Sequence, residues 1–359
     1  MNGKSKFCLV AFATLLSALP HLANAATAGF DVCVIDADTN LPIKGVDVVG
    51  WFSNSNGWRA WTESAPEYED RKTTDENGRC HLSGETNNGK TGVNIHRPPQ
   101  EYYPNSFSIK YTFTQKPLLP LMHWRPTDIV ITASLQRVVR PVPLFVKRAR
   151  RLIGSESIAI NGNRFGYDLV KGDFVPPFGN GEVADVSFVC PPPEYIGEGF
   201  NGRDLRAPRY KNVVTAFFPG DTANGIQAIP IVNQQAVLRV REAPDDGYQR
   251  EQTFSEYMAY DLQHREGLDR NSCYCFRIRT VRDESGKIKS CLYGKIYGDP
   301  KFLLDGSDRW TRQVGGVAFL YYLNANPNDR NLEWDRKNNL CDEPGNLEVV
   351  GDHPPMRLP

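Results

Sequence analysis

Residues 30–52 read FDVCVIDADTNLPIKGVDVVGWF and contain two strand patterns separated by a turn. In the first, Phe30 to Asp36, apolar and β-branched residues recur at alternate positions, which is typical of a strand with one buried face. Asp36 to Asn40 is rich in the small polar residues that favour turns. The second pattern, Gly45 to Phe52, again predicts a strand. This stretch therefore predicts an all-β fold.

The following residues extend the β pattern to about residue 136. Asn77-Gly78 predicts a hairpin turn, because both central positions of such a turn need positive φ. That turn leads into a third strand, Arg79 to Leu82. Further strands are predicted at 91–96, 106–113 and 128–135. Their regular spacing favours a β-sandwich.

These residues resemble the carboxypeptidase-regulatory-like, or transthyretin-like, β-sandwich domain. The resemblance rests on the run from Val34 to Val46 (VIDADTNLPIKGV), on Thr73–Gly78 (TTDENG) and on Tyr102-Tyr103. It implies an Ig-like sandwich over residues 26–136 that serves as a folding, spacing or adhesive module beside another domain. The chain departs from the family pattern at Gln100-Glu101, where the family has a glycine before the late tyrosine.

The length and composition of the chain limit its number of domains and the kinds of partner that it can bind. The chain has 359 residues, 40% of them hydrophobic, with 42 basic and 42 acidic residues. This length predicts two or three domains, and this hydrophobic fraction excludes a wholly disordered or collagen-like chain. A neutral chain lacks the basic footprint of a nucleic-acid-binding protein, so we expect no nucleic-acid partner.

Residues 1–25 have the three parts of a secretory signal peptide. Lys4 and Lys6 form the basic start, residues 7–19 (FCLVAFATLLSAL) are apolar, and Ala23-Asn24-Ala25 fits the cleavage pattern. The alternative is an uncleaved anchor, but this apolar run is short for a bilayer that needs about 20 residues. We expect an exported protein, periplasmic or extracellular, with no membrane span after cleavage.

Residues 137–160 predict a connector, and residues 161–359 a β-rich C-terminal domain with one helix. The connector holds two prolines and the basic run at 147–151 (KRARR), which we interpret as a solvated linker rather than a patch for an anionic polymer. The helix is predicted from the capping box Thr253-x-x-Glu256, followed by an apolar face and ended by Gly267.

Three phrases of the second half resemble a C-terminal module of secreted bacterial proteins that has no assigned activity. They are Tyr274–Arg279 (YCFRIR), Tyr293–Gly298 (YGKIYG) and the longer run Tyr321–Asp335. That module often follows a transthyretin-like sandwich, so the resemblance implies the same order of domains here.

Seven cysteines follow the signal segment. Cys33 and Cys80 are predicted to form a disulfide, because both fall on predicted strands of one domain. Cys273-Tyr-Cys275 has the spacing of neither a zinc site nor a CxxC redox motif. The remaining cysteines are interpreted as small buried hydrophobes.

The loop at 53–72, unusually long for the family, carries the candidate ligand-binding residues Trp58, Trp61 and Tyr68. Exposed aromatic rings on a sandwich loop suit stacking on sugar rings, while nearby amides and acids bond hydroxyl groups. The predicted partner is a glycan or a cell-surface protein. The alternative is that these rings fold back onto the sandwich.

The sequence contains no HExxH, GxSxG, P-loop or dinucleotide-binding pattern, and its histidines are isolated, so no cofactor and no metal site is predicted. Asp329, Glu333 and Asp335 form the densest acidic group near aromatic residues. They are the alternative catalytic residues, for a secreted hydrolase with a carboxylate pair. An ion pair of Asp329 with Arg330 or Arg336 is the structural alternative. The favoured hypothesis is a non-catalytic exported protein of structural, adhesive or binding type.

Overall fold

The protein is all-β, as the sequence predicts. The computed structural model describes residues 26–53, 67–86, 88–103, 108–118, 121–150, 158–159, 162–200, 206–230, 240–259, 265–267, 272–304 and 314–341. These residues form strands and turns, and none of them is helical. The described residues fall into two units, one up to Arg137 and one from Val138 onward.

The first unit is a sandwich of two sheets. Its strands are β1 (Ala26–Asp36), β2 (Asp47–Ser53), β3 (Glu67–Thr73), β4 (Arg79–Thr86), β5 (Lys90–Arg97), β6 (Ser108–Thr112), β7 (Thr114–Leu118), β8 (Leu121–Arg125) and β9 (Val130–Leu135). One sheet has the order β4-β1-β9, and the other has the order β3-β2-β5-β6. Strands β7 and β8 form a separate hairpin.

Alternating residues of both sheets fill the core of this unit. Val32 and Val34 of β1 are buried with Phe52 of β2 and Val93 of β5. The rings of Phe30 and Phe52 lie 5.8 Å apart, centroid to centroid. The period-two pattern at 30–52 therefore supplies one strand to each sheet.

The Asn77-Gly78 turn is a corner of the sandwich rather than the predicted hairpin. It joins β3 to β4, which belong to different sheets. The Asp75 carboxylate accepts hydrogen bonds from the backbone N–H groups of Asn77 and Arg79, at 2.9 and 2.8 Å. Gly78 has a φ of 68°, and a Cβ there would lie 2.4 Å from the carbonyl oxygen of Val34. Only glycine fits this position.

The second unit is also built from two sheets. Its strands are β10 (Val142–Arg150), β11 (Ile158–Ala159), β12 (Arg164–Asp168), β13 (Asp173–Phe174), β14 (Val186–Val189), β15 (Glu194–Phe200), β16 (Arg206–Phe217), β17 (Gly225–Ile229), β18 (Glu251–Ala259), β19 (Arg265–Glu266), β20 (Cys273–Arg282), β21 (Ile288–Leu304), β22 (Val314–Asn324) and β23 (Trp334–Asn339). The sheet orders are β17-β20-β21-β22-β10-β23, with β11 on β22, and β13-β12-β14-β16-β18-β19, with β15 on β16.

Aromatic rings from the two sheets meet in the core of this unit. Phe188 of β14 lies 5.2 Å from Phe319 of β22, and Phe218, next to β16, lies 6.0 Å from Phe276 of β20. These residues belong to one buried apolar cluster that draws on both sheets. The second unit is therefore a second sandwich.

Strands β20 and β21 form a hairpin around Asp283–Gly286 (DESG), whose small polar residues and glycine favour a turn. Asp283 accepts hydrogen bonds from the backbone N–H groups of Ser285 and Lys287, at 2.9 and 3.0 Å. Residues 281–289 are all exposed. The hairpin thus ends in a projecting turn whose conformation is set by one side chain.

The predicted helix at 253–267 is wrong where the chain is described, because Glu251–Ala259 is strand β18. It pairs with β16 over nine positions. Phe254 is buried against Tyr274, with ring centroids 5.3 Å apart, while the hydroxyl groups of Thr253 and Thr215 lie 3.0 Å apart across the strands. Glu256 is buried opposite Asn212 rather than capping a helix. Burial at alternate positions and pairing with a long partner strand therefore favour a strand here, in spite of the helix-capping pattern.

The predicted connector at 137–160 is also corrected, because β10 lies inside a sheet, between β22 and β23. Leu144, Val146 and Ala149 are buried, which reveals an apolar alternation within the proline-rich and basic run. The side chain of Lys147 lies over Gly172. The charges of this run are therefore carried on a strand of the second sandwich.

Among the residues that the structure describes, the first and last strands of each unit are parallel neighbours. Strand β1 runs parallel to β9 over six residue pairs, from Asp31–Val130 to Asp36–Leu135. Strand β10 runs parallel to β23, with Val142 opposite Trp334, Leu144 opposite Asn339 and a register shift between them.

Candidate functional site

A buried charged cluster in the second unit joins Asp168, Asp185 and Arg279. Arg279 Nε donates to Asp185 Oδ1 at 2.8 Å, and its Nη2 donates to Asp185 Oδ2 and Asp168 Oδ1 at 2.9 Å each. The two aspartates are 1% and 4% exposed, whereas the arginine side chain is 32% exposed. One guanidinium therefore pairs with two carboxylates at the edge of the core.

The local backbone explains how Arg279 reaches these carboxylates. The register of β20 against β21 shifts between Ile278 and Val281, and Arg279 lies in that irregularity with a φ of 51°. Such bulges re-aim a side chain away from the direction that a regular strand would give it. A positive φ is unfavourable for arginine, so the surrounding contacts must hold it in place.

The two aspartates also fix the loops around them. Asp168 Oδ1 accepts the N–H groups of Val170 and Lys171, and its Oδ2 accepts those of Glu182 and Val183, all at 3.0 Å. Asp185 Oδ2 accepts the N–H of Leu169 at 2.9 Å. Together the carboxylates organise residues 169–171 and 182–183.

The two carboxyl groups have opposite pKa shifts. Burial acts to raise the pKa of Asp168, but hydrogen bonds from the Lys171, Val183 and Glu182 backbone and the charge of Arg279 outweigh it, so this pKa is lowered. Burial raises the pKa of Asp185, and Arg279 only partly offsets that effect. Asp168 is thus the more firmly ionised member of the pair.

A cavity of about 220 Å³ opens beside this cluster. Asp185, Arg279, Thr280, Asn224 and Gly220 contribute to its lining. The Asn224 side chain is already engaged, since its Nδ2 donates to Pro219 O at 2.7 Å and its Oδ1 accepts Thr280 N–H at 3.1 Å. The cavity can admit a small polar molecule, but its carboxylates are held in structural hydrogen bonds.

The carboxylates proposed for hydrolysis hold the backbone instead. Glu333 is 3% exposed and accepts hydrogen bonds from the backbone N–H groups of Val139 and Arg140, the former at 2.9 Å. Asp329 accepts Arg140 Nη2 at 2.7 Å, so its partner is Arg140 and not the adjacent Arg330, which pairs with Glu242 and Asp245.

Asp335 has a local role within strand β23. It accepts the N–H groups of Lys337 and Asn338 at 2.9 Å each. Burial acts to raise the pKa of Asp335, but the hydrogen bonds from Asn338 and Lys337 outweigh it, and the pKa is lowered. Asp329 and Glu333 therefore anchor the chain at its contact with residues 139–140, and Asp335 holds the backbone of β23.

Tyr68 is the member of the predicted aromatic loop that the structure describes. It lies on β3, opposite Phe52, with ring centroids 6.3 Å apart, and both rings cover Gly84. Tyr68 remains 50% exposed to solvent. Trp58 and Trp61 lie outside the described residues, so their predicted role stays a prediction.

The predicted disulfide between Cys33 and Cys80 does not form. Strand β1 pairs with β4 so that Val32 is opposite Cys80, while Cys33 is opposite Arg79. Cys80 therefore faces the core with Val32, and Cys33 points to the other face of the sheet. Both thiols are free. Burial and the charges of Asp70 and Asp31 raise the pKa of Cys80 to about 11.

The described part of the chain holds no group of three or more His, Cys, Asp or Glu side chains that could bind a metal ion. His81, one of the isolated histidines, contacts Asp31 at 2.8 Å on the surface. Among the same residues, no helix has the length and apolarity needed to cross a bilayer.

The sequence did not predict the Asp168–Asp185–Arg279 cluster. Its members come from three separate stretches, and Asp168 and Arg279 are 111 residues apart. The available signal was the presence of arginines in the otherwise apolar strand Cys273–Ile278 and beyond. An arginine in such a strand needs an acidic partner once it is partly buried.

No protein-family model matches this chain, and no curated protein does. Similar solved structures include 3-chlorocatechol 1,2-dioxygenase from Rhodococcus opacus 1CP, at 13% identity over 32% of this chain and 61% of that one, with a TM-score of 0.23. The minor pilin GBS52 of Streptococcus agalactiae has 18% identity over 33% of this chain and 48% of its own, with a TM-score of 0.22.

The major pilin subunit BcpA of Bacillus cereus matches over 82% of this chain and 95% of its own, at 9% identity and a TM-score of 0.22. This chain spans 61% of the dioxygenase and about half of the minor pilin. TM-scores of this size do not establish a shared fold.

Proposed function

We propose that the protein is an exported, non-catalytic protein of structural or adhesive type. The observation that carries this proposal is the engagement of Glu333, Asp329 and Asp335 in backbone and ion-pair contacts. A catalytic carboxylate must reach substrate or water, whereas Glu333 is buried against the backbone that it holds. The hydrolase hypothesis thereby loses its candidate residues. Export is supported by the signal-peptide pattern at residues 1–25.

The more specific part of the proposal is a glycan or surface partner recognised by the aromatic residues Trp58, Trp61 and Tyr68. Tyr68 supports it, because its ring on strand β3 is held by Phe52 while half of the residue stays exposed. A ring fixed in this way can stack on a sugar without losing further conformational freedom. Trp58 and Trp61 would extend the same aromatic surface.

The test incubates the purified mature chain with a panel of polysaccharides and with peptidoglycan, and measures both bound protein and released soluble product. We expect saturable binding without release. Trp58→Ala, Trp61→Ala and Tyr68→Ala should weaken that binding. Tyr195→Ala is the matched control, because Tyr195 is equally exposed but lies on β15 of the second unit.

Other outcomes have distinct meanings. Release of product would contradict the non-catalytic proposal and would direct attention to Asp329→Asn and Glu333→Gln. Binding that survives all three loop substitutions would contradict the role of the loop. If the chain shows no binding and no release of product, that result contradicts a glycan partner and favours a protein partner.

A further inference from the structure

The parallel arrangement of terminal strands occurs in both units and determines how tension would act on them. Tension applied along the chain pulls the first strand of a unit at its N-terminal end and the last strand at its C-terminal end. When these strands are parallel neighbours, they must slide past each other in opposite directions. All hydrogen bonds between the two strands then carry the load together. When two strands are instead pulled apart at neighbouring ends, their hydrogen bonds break one after another.

In the first unit, the contact between β1 and β9 is regular and closed by backbone bonds at both ends. Asp31 N–H donates to Ile129 O at 2.9 Å, and Ala37 N–H donates to Leu135 O at 2.8 Å. Six residue pairs lie between the two strands. Sliding one strand would therefore require several hydrogen bonds to break at once.

Side chains lock the end of this contact. Asp36, the last residue of β1, is buried and accepts the Tyr102 hydroxyl at 2.9 Å. Arg137, which follows β9, donates to the same hydroxyl at 3.0 Å and lies 3.4 Å from Asp36 Oδ2. The residue that ends the first strand and the residue where the unit ends are thus tied through one buried tyrosine.

In the second unit, side chains replace part of the backbone ladder between β10 and β23. Val142 N–H donates to Glu333 O at 2.8 Å, and Leu340 N–H donates to Leu144 O at 3.0 Å. Asn339 bonds both backbone groups of Val146, accepting its N–H at 3.1 Å and donating to its carbonyl at 2.7 Å. This asparagine extends the contact past Leu144, beyond the register shift between Val142 and Leu144.

From this geometry we infer that each unit resists tension along the chain, with β1–β9 and β10–β23 as the contacts that bear the force. The inference goes beyond the proposed function, since it requires no particular ligand or partner. The force at which a unit unfolds reports its unfolding barrier, so it can be measured separately from binding.

The experiment stretches the whole mature chain in single-molecule force measurements with three pairs of attachment points. The first pair is the two ends of the chain. The second is the N-terminal end and an azide-bearing residue at Glu85, which peels β4 from β1 because Ala26–Thr86 is the end pair of these antiparallel strands. The third is the N-terminal end and Asn326, which peels β10 from β22 starting near Leu144–Asn324.

End-to-end stretching should give two high-force unfolding events. Attachment at position 85 should unfold the first unit at several-fold lower force, and attachment at position 326 should replace one of the two high-force events by a low-force one. Asn339→Ala should lower one of the end-to-end forces and leave the other unchanged. Thermal melts of each attachment variant show that folding is intact.

Equal unfolding forces in the end-to-end and peeling geometries, with unchanged melting temperatures, would overturn the inference. An unchanged pair of end-to-end forces in Asn339→Ala would overturn it for the second unit. Because no ligand is present, failure here leaves the proposed glycan or surface partner to be judged by the binding experiment alone.

Discussion

Arg279 shows how one residue can combine an unfavourable backbone with a stabilising side chain. A non-glycine residue in the left-handed region costs on the order of 1–3 kcal/mol, and Arg279 has a φ of 51°. In that conformation its guanidinium makes three hydrogen bonds to two nearly inaccessible carboxylates. The interactions of the side chain must therefore outweigh the cost of the backbone.

Arg279→Ala should lower the free energy of unfolding of the second unit by about 3–5 kcal/mol, because it leaves two buried carboxylates without their cation. Urea unfolding of the full chain measures the change. Arg282→Ala is the control, since its bidentate pair with Asp221 is more exposed and should give a much smaller loss. Equal losses in the two variants would contradict the special role of the buried cluster.

Asp168 should make the second unit sensitive to acid. Its pKa is lowered in the folded state, so the stability that its ionised form contributes is present above the unfolded pKa, near 4, and is lost as pH falls through the folded pKa. Asp168→Asn should flatten the fall of the unfolding midpoint below about pH 4. An acid-side slope equal to that of the parent chain would contradict this assignment.

Asp185 should act in the opposite sense. Its pKa is raised in the folded state, so its contribution to stability is present below the unfolded pKa and is lost as pH rises through the folded pKa. The two carboxyl groups therefore have to be separated by single substitutions.

At the scale of elements, the strands that could be predicted are those with strong local alternation. Strand β1 and the β20–β21 hairpin follow directly from period-two patterns and turn residues. Strand β18 was missed because a capping pattern with apolar residues at helical spacing competes with alternation over so short a stretch. Pairing with β16 makes residues 251–259 a strand rather than a helix, and no local sequence pattern identifies β16 as the partner.

The site was harder to predict than the strands, for a geometric reason. Arg279 reaches Asp168 and Asp185 only because β20 shifts register at that point. Glu333 holds residues 139–140 from almost 200 positions away in the chain. Clustering of acids in sequence, which suggested Asp329, Glu333 and Asp335 as catalytic residues, says nothing about such distant partners.

Gly294 of β21 lies directly opposite Phe276 of the neighbouring strand β20, in the same sheet. A Cβ at this position would lie 2.2 Å from the Phe276 ring, so Gly294→Ala should destabilise the protein by about 1–3 kcal/mol through overpacking. Gly286→Ala is the matched control: its φ of 82° carries backbone strain, of about 1 kcal/mol, but nothing lies within 4 Å. If Gly286→Ala lowers the melting temperature more than Gly294→Ala does, the packing argument is wrong.

At the scale of the whole molecule, each sandwich has its own apolar core, and the described cysteines contribute thiols rather than cross-links. Units of more than 100 residues can bury enough apolar surface to be stable without disulfides. The stability of both units would then depend on noncovalent contacts alone.

Thiol titration checks this. In denaturant the mature chain should expose seven reactive thiols, whereas the native protein should react mainly at Cys33, which is partly exposed. Burial raises the pKa of Cys190 and Cys273 to about 12, and Cys80 has a pKa of about 11, so these thiols should react slowly at neutral pH. Fewer than seven thiols in denaturant, without prior reduction, would reveal a disulfide and contradict the prediction.

The projecting turn of the β20–β21 hairpin has a practical consequence. Residues 281–289 are all exposed, and the turn is set by Asp283 through short-range bonds to Ser285 and Lys287. Exposed loop tips tolerate inserted sequence, because no buried backbone has to move. A peptide epitope placed between Glu284 and Ser285 would be displayed on the stem of the hairpin, which makes this turn a natural point for labelling the protein.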